Sequence, residues 1–421
     1  MAEGAGPGSA TVLPGGFSAL VGRAGVREGP GDDLIVVWAD APEVPVAAPS
    51  PTVSSAAVFT RSRFAGPSVT LSRARAAGGR SRGVVAVAGN ANVATGRQGE
   101  SDAAELADLA ATACGLHPSE MLVASTGVIG RPYPMERIRG WFASGAAPAP
   151  AVGVDGAAGV AGVRAPRRTR LAEDLAGAIM TTDTVRKVAA RQVGRASVVG
   201  VAKGVGMIEP DMATMLAFVL TDAAVAPEAL DGLWRAAVGV SFNCLTTDGD
   251  TSTSDTALVL ASGVAGPVPD AELAAALREV CLDLTLQLAR DGEGATKLLV
   301  VTVRAARDED QARRVAKAIA NSPLVKTAVH GGDPNWGRVA MAIGKCSDDQ
   351  DIAPERVVIR FGDLEAYPAV PGPDGLAALA ELLAEDHVDI EVELGTGGAE
   401  ATVYGCDLSA EYVRINADYT T

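Results

Sequence analysis

The sequence predicts a mixed α/β protein, and three observations carry that reading. Apolar runs of strand length alternate with helix-length segments along almost the whole chain, the pattern of α/β and α+β folds. The chain has 421 residues, 48% hydrophobic and 21% charged, enough core for one large domain or two ordinary ones. Small residues dominate, with 48 glycines against 4% aromatics. That composition lets backbones approach closely and supplies positive-φ positions for loops.

Residues 1–15 are rich in Gly, Ala and Pro and are expected to be disordered. Extended apolar runs at 34–38 and 56–60 read as strands. A buried strand over 83–88 ends in the loop Gly89-Asn90-Ala91-Asn92, and Ser101 is placed to cap a helix over 102–114. A strand over 121–124 runs into Ser125-Thr126-Gly127. Residues 144–166, almost wholly Gly, Ala, Pro and Val, read as a flexible surface connection. A short helix over 171–180 ends at Thr181-Thr182-Asp183. A strand over 197–202 is broken by Lys203-Gly204-Val205-Gly206, and a very apolar strand follows over 214–220. Helices over 227–239, 270–290 and 309–321 then alternate with strands over 297–303, 355–361 and 388–394. The tail carries Tyr412, Val413, Ile415 and Tyr419, apolar enough to pack onto the body.

Composition excludes several classes of function. A net charge of −15 disfavours a nucleic-acid binder, because phosphate backbones reward clustered positive charge. Five cysteines with no CxxC pair argue against a disulfide framework or a zinc knuckle. Only three histidines are present, so no metal site is expected. No apolar run reaches the roughly 18 residues that span a bilayer. The N-terminus has no basic segment followed by an apolar one, so the expected location is the cytoplasm.

The stretch Lys203-Gly204-Val205-Gly206-Met207-Ile208-Glu209-Pro210-Asp211-Met212-Ala213-Thr214-Met215-Leu216 is not a dinucleotide fingerprint, because Glu209 replaces the third glycine. Its plain reading is a loop feeding a core strand. Its chemical reading rests on Thr214, the only hydroxyl in the loop. A threonine here is able to attack the carbonyl of the residue before it through a five-membered ring. Cleavage would leave a free α-amine, which serves as the general base for its own hydroxyl without any histidine. The reference pKa of such an amine, roughly 7.7–8.0, is close to working pH.

Other motifs have a plain and a chemical reading side by side. Ser125-Thr126-Gly127-Val128-Ile129-Gly130 is either a tight turn or an oxyanion hole made of one hydroxyl and one backbone N–H. Asp248-Gly249-Asp250-Thr251-Ser252-Thr253-Ser254-Asp255 resembles a calcium loop but has Thr253 where glycine is needed and Val259 where glutamate is needed. It reads better as a self-bonded turn beside a site or interface. Asp291-Gly292-Glu293-Gly294 is either a glycine helix cap or a carboxylate, flanked for close approach, that pairs with a substrate ammonium. His330-Gly331-Gly332-Asp333-Pro334-Asn335-Trp336-Gly337-Arg338 identifies no chemistry alone.

Taken in order, these motifs resemble the glutamate/ornithine N-acetyltransferase family, the bifunctional arginine-biosynthesis protein. The resemblance is carried by the string from Lys203 to Leu216, by Gly89–Asn92, by Ser125–Gly130 and by Met180-Thr181-Thr182-Asp183. The segments Asp248–Thr253, Asp333–Arg338 and Tyr412-Val413-Arg414-Ile415-Asn416 extend it, so that it covers residues 16 to 421. It implies an α/β (α+β) sandwich of the self-cleaving N-terminal-nucleophile type with a second, smaller lobe. It also implies cleavage between Ala213 and Thr214, giving an α chain (16–213 after the disordered start) and a β chain (214–421). Thr214 would take acetyl from N²-acetylornithine and pass it to glutamate in a ping-pong cycle. Thr126 and Gly127 match the oxyanion hole, and Thr182, Lys203, Thr214, Glu293, Asn416 and Thr421 match substrate-binding positions. No cofactor is implied; acetyl-CoA enters only as a substrate if the family's second activity is present. The expected assembly is a dimer of αβ units.

The bottom-up chemistry fits these roles, since Lys203 suits an α-carboxylate and Glu293 the side-chain ammonium of ornithine. A closed, glycine-lined pocket would shield the acetyl ester from water. Glu209, Asp211, Cys244-Leu245-Thr246-Thr247 and His330-Gly331-Gly332 depart from the commonest arginine-pathway versions and resemble the subgroup found with antibiotic gene clusters, such as the clavulanic acid pathway. Two other functions share parts of the pattern: a self-cleaving amidohydrolase or aminopeptidase that admits water to the acyl-enzyme, and a silent amino-acid-binding protein that never cleaves.

Overall fold

The computed structural model describes residues 10–40, 53–145, 162–209 and 215–418. In chain order the first part comprises β1 (Phe17–Arg23), β2 (Leu34–Ala39), β3 (Ser54–Phe59), α1 (Pro67–Ala76), β4 (Gly83–Asn90), α2 (Gly96–Cys114), β5 (Met121–Val128) and α3 (Met135–Gly145). It continues through β6 (Arg164–Thr169), α4 (Ala172–Ile179), β7 (Lys187–Val193), β8 (Ala196–Lys203), β9 (Leu216–Ala224), α5 (Pro227–Gly239), β10 (Thr256–Pro267) and α6 (Asp270–Arg290). The rest comprises β11 (Leu298–Ala306), α7 (Glu309–Ala320), α8 (Pro323–Gly331), α9 (Trp336–Gly344), β12 (Val358–Phe361), β13 (Leu364–Tyr367), α10 (Pro373–Ala384), β14 (His387–Glu393), β15 (Ala399–Cys406) and α11 (Ala410–Asp418).

Two five-stranded sheets, ordered β5-β4-β2-β1-β6 and β3-β10-β9-β8-β7, stack face to face. Each has one parallel pair, β4 with β5 and β9 with β10. Between them, Ile35, Val37, Ala86 and Leu122 meet Phe218, Leu220, Leu258 and Leu260. The intervening residues point outward and are covered as well. Leu34, Val36 and Val85 pack on Leu106, Ile138 and Trp141 of α2 and α3, and Val198, Val219 and Val259 pack on Leu230, Trp234 and Leu284 of α5 and α6. Covering on both faces explains why these strands read as unbroken apolar runs instead of alternating ones. The result is the expected sandwich, with helices outside each sheet.

The second lobe is a sheet ordered β13-β12-β14-β11-β15. One face packs on α7, α8, α9 and α10 through Val301, Ile390, Val392 and Val403. Strand β14 accordingly shows one-sided alternation: Val388, Ile390 and Val392 are buried, and His387 and Asp389 are exposed. On the other face, Val300 and Tyr404 lean on the core of the sandwich.

Several sequence expectations shift. Residues 10–15 are held in the body, not frayed: Thr11 N–H donates to Glu173, Leu13 pairs with the Arg170 carbonyl and is buried, and Gly15 N–H donates to Asp222. Helix α2 starts at Gly96 after the N-cap Thr95, so Ser101 lies exposed within it, and the Asn92 amide ties the preceding loop to its first turns by donating to the Gly99 carbonyl at 2.9 Å. Of the 144–166 connection, residues 144 and 145 end α3, residues 164–166 begin β6, and 146–161 lie outside the described residues. The strand placed at 214–220 runs from Leu216 to Ala224. In the tail, no residue of α11 is fully buried; Tyr412 and Ile415 are half-buried, Val413 is exposed, and Tyr419 lies outside the described residues.

Candidate active site

The ends of β5 and β8, the start of β9, the α4–β7 turn, the loop after α6 and helix α11 converge on a cavity of about 160 Å³. Thr126, Gly127, Thr182, Lys203, Glu293 and Asn416 all line it. Two more open cavities, about 1120 and 1160 Å³, lie outside the sandwich among ion-paired surface side chains such as Arg235–Asp231 and Arg139–Glu105. Only the small one holds a buried ammonium facing a carboxylate, so chemistry outweighs size as the criterion.

Strand β5 runs parallel to β4 with Gly127 opposite Gly89. Gly127 has φ +127°, and a Cβ there would lie 2.3 Å from the Gly89 carbonyl carbon. A side chain at 127 is therefore excluded, which is the reason for glycine at this place. The closeness of the two strands turns Thr126 into the cavity, where its Oγ1 lies 3.2 Å from Lys203 Nζ. The ammonium must donate in that bond, so the threonine keeps its own proton for another acceptor.

Lys203 ends β8 and is buried. Burial pushes its pKa down, opposed chiefly by Asp183. Asp183 accepts Gly204 N–H at 2.7 Å, Thr181 N–H at 3.0 Å and Lys187 Nζ at 2.8 Å. Burial disfavours its charge as well, but Lys203 and Lys187 outweigh burial and hold the carboxyl at about 2. Lys187, with no exposed surface, also meets Asp291 at 2.5 Å. The chain Asp183–Lys187–Asp291 thus pins the α4–β7 turn to the loop that carries Glu293.

Glu293 is oriented from three sides. Its N–H donates to Val205 at 2.9 Å, and its carboxylate accepts Thr182 Oγ1 at 3.1 Å and Asn416 Nδ2 at 2.8 Å. Gly206 makes room for it, since a Cβ there would lie 2.5 Å from Oε2. The flanking glycines do something other than expected. A Cβ on Gly292 would meet Cys406 Sγ at 2.7 Å and one on Gly294 would meet Tyr412 N at 2.5 Å. They admit β15 and α11, not a ligand, and helix α6 is capped by Asp291, not by glycine.

The 248–255 loop is a self-bonded turn beside this cavity. Asp248 accepts Asp250 N–H at 3.2 Å, and Ser254 N–H donates to Ser252 Oγ at 3.2 Å. Asp248 also clamps the backbone N–H groups of Met207 (2.6 Å) and Ile208 (2.9 Å). The Tyr412 hydroxyl donates to it at 3.5 Å, and burial beside this carboxylate pushes that phenol up to about 12.

Thr214, Ala213 and Thr421 lie outside the described residues. Met207 and Met215, which flank residues 210–214 in the sequence, both line the cavity. The 330–338 segment contributes no side chain there: Gly332 (φ +67°) closes α8 and Asn335 caps α9. Sequence reasoning missed Lys187 altogether and quoted Asp291 only as the start of the Glu293 motif. It quoted Asp183, Asp248 and Tyr412 inside motifs but assigned them no role; a carboxylate repeated beside glycine-rich turns was the available signal.

The ArgJ family model matches residues 19–421. The chain is 49% identical over 414 residues to arginine biosynthesis bifunctional protein ArgJ 2 of a Nostoc species, covering 98% of this chain and 99% of that one. It is 51% identical over 418 residues to glutamate N-acetyltransferase Oat2 of Streptomyces clavuligerus, with the same coverage of each. Among solved structures, the arginine biosynthesis bifunctional protein ArgJ of Bacillus halodurans aligns at 42% identity and a TM-score of 0.45, over 48% of this chain and 98% of that one.

Proposed function

The chain belongs to the ArgJ family, and from that premise we propose that it is a glutamate N-acetyltransferase whose nucleophile, Thr214, is released by self-cleavage after Ala213. The observation that carries the reading is the convergence of Lys203, Glu293, Thr126 and Gly127 on the one cavity that Met207 and Met215 also line.

Maturation begins when Thr214 Oγ attacks the Ala213 carbonyl carbon. The acyl group moves from nitrogen to oxygen, and water hydrolyses the resulting ester. The products are one chain ending at Ala213 and another of 208 residues beginning with Thr214. The freed α-amine then takes the hydroxyl proton as Oγ attacks the acetyl carbonyl of N²-acetylornithine. The oxyanion that develops accepts from Thr126 Oγ–H and Gly127 N–H, donors of a kind worth about 3–4 kcal/mol each. Ornithine leaves with the proton, and the amine of glutamate attacks the acetyl ester to give N-acetylglutamate. Lys203 holds the substrate α-carboxylate and Glu293 the side-chain ammonium, with Thr182 and Asn416 fixing the Glu293 carboxylate; Thr421 completes the family's binding set. No cofactor takes part, and acetyl-CoA serves only as an alternative acetyl donor. The working assembly is a dimer of αβ units. No helix among the described residues is long and apolar enough to cross a membrane.

Intact mass before and after incubation with N²-acetylornithine tests this. Two chains meeting at Ala213/Thr214, with acetyl only on the second, are expected. Acetyl passing mainly to water instead of glutamate would make the protein an amidohydrolase, and one unmodified chain would make it a silent member.

Glu293→Gln is expected to raise KM for N²-acetylornithine by at least about tenfold, the loss of a charge-assisted pair, while self-cleavage proceeds. Failed cleavage with N²-acetylornithine binding retained, or an unchanged KM in cleaved protein, would remove Glu293 from the ammonium site. Gly206→Ala, which pushes the same carboxylate aside, is expected to raise that KM in the same direction with kcat and thermal midpoint close to wild type.

A further inference from the structure

We propose that Glu209 is a positioning residue for self-cleavage, anchoring the segment that carries the scissile bond and taking no part in acetyl transfer. The inference rests on the self-cleavage reading above. Glu209 lies four residues before Ala213. One carboxylate oxygen accepts Thr246 Oγ1 at 2.8 Å and the Asn321 side-chain amide in a close contact. The other lies 3.5 Å from Lys317 Nζ. Its backbone carbonyl accepts Thr251 Oγ1 at 3.2 Å. The residue before it, Ile208, is fully buried, and its carbonyl accepts Thr247 N–H at 2.7 Å.

Downstream the chain is equally fixed. Met215 is buried, and its carbonyl accepts Thr256 N–H at 2.9 Å before β9 begins. The upstream anchor has partners that the downstream one lacks. Lys317 lies in α7 of the second lobe and Asn321 caps it, whereas Thr246 and Thr251 lie in the loop before β10 of the sandwich, so the upstream anchor ties into both bodies; Met215 enters the sandwich. Five residues, 210–214, separate Glu209 from Met215 in the sequence, and the scissile bond lies among them. Residue 210 is proline, which restricts the backbone of Glu209 before it. An intramolecular acyl shift needs Oγ held over the preceding carbonyl carbon, and holding both ends raises the fraction of chains that meet this condition.

A role in acetyl transfer is disfavoured by position. Glu209, Thr246, Lys317 and Asn321 do not line the cavity, and both carboxylate oxygens of Glu209 already have partners. This separates Glu209 from Asp248, which clamps the same segment but faces the cavity.

The test follows cleavage of newly made chain by pulse-labelled cell-free translation and gel electrophoresis, for wild type, Glu209→Ala, Glu209→Gln and Thr246→Val. Glu209→Ala is expected to slow the appearance of the 208-residue chain by at least about tenfold. Glu209→Gln, which keeps an acceptor for Thr246, is expected to recover part of the rate, and Thr246→Val to reproduce the slowing. Fully cleaved Glu209→Ala protein is expected to show wild-type kcat, KM and thermal midpoint. Wild-type cleavage rates in Glu209→Ala, or slowing that tracks a lowered thermal midpoint in every variant, would overturn the proposal. Absence of cleavage in the wild type would instead overturn the reading on which it rests, and the two failures are told apart on one gel.

Discussion

Replacing Thr214 with alanine is expected to leave one uncut chain of 421 residues and to remove acetyl transfer altogether. The effect is the largest available because two reactions depend on one hydroxyl. Without Oγ there is no attack on Ala213, and without cleavage there is no free amine to act as base. Loss of a covalent nucleophile commonly costs at least about 10³-fold in kcat. Thr214→Ser keeps the hydroxyl and the amine, so it is expected to cleave and transfer at a reduced rate. The acylation rate of the mature wild type is expected to rise with pH through the range in which the α-amine loses its proton, near 7.7–8.0 for an unperturbed terminus. Mass spectrometry reads the cleavage, and a ninhydrin or coupled assay for ornithine reads the transfer. Normal cleavage in Thr214→Ala would end the nucleophile assignment. A pH profile that falls across this range would end the role of the amine.

Much of the sandwich was legible because its strands are buried on both faces. A run such as Leu34–Ala39 has no polar residue, and such a run has few other places to go. The elements that escaped lack that signal. Strand β6 reads Arg-Ala-Pro-Arg-Arg-Thr and is mostly exposed at a sheet edge, where a proline and charges are tolerated. Helix α1 has arginines and serines with little apolar periodicity, and it is placed by contact with β5 and β3 instead. In the site, Lys203, Glu293 and Thr126 were legible because their motifs carry glycines, although at Gly127, Gly292 and Gly294 those glycines make room for neighbouring backbone and side chains, not for a ligand. Lys187 was not. It lies on a strand between ordinary residues, and its meaning depends on Asp183 and Asp291, the latter 104 positions away. Long-range ion pairs leave no trace in local spacing, so this part of the site had to come from the fold.

That buried pairing leads to the second large effect: Asp183→Asn is expected to lower stability by about 3–5 kcal/mol, the usual outcome when one partner of a buried ionic cluster is removed. Asparagine has one acceptor oxygen where aspartate has two, so it keeps the bond from Gly204 N–H or from Thr181 N–H but not both, and the loss reads the charge together with one backbone hydrogen bond. The pH dependence gives the sign. The Asp183 carboxyl is held at about 2, below its ordinary 3.8. Its contribution is therefore complete above about pH 4 and is lost as pH falls through 2. The difference in stability between wild type and variant is expected to be flat from neutral pH down to about pH 4 and to shrink below it. The two partners do not gain alike: Asp183 is favoured as an anion, whereas burial still works against the Lys203 ammonium. The net gain from the pair is therefore smaller than the shift of Asp183 alone suggests, and burial of Lys203 accounts for the difference. Removing the carboxylate lowers the Lys203 pKa further, because Asp183 is the chief group opposing burial there. The variant is then expected to lose affinity for carboxylate substrates at a lower pH than wild type, seen as an earlier alkaline rise in KM. Equal stability of the two proteins at neutral pH would show that the charge of Asp183 does not hold the cluster. An unmoved alkaline limb would show that Asp183 does not set the charge of Lys203.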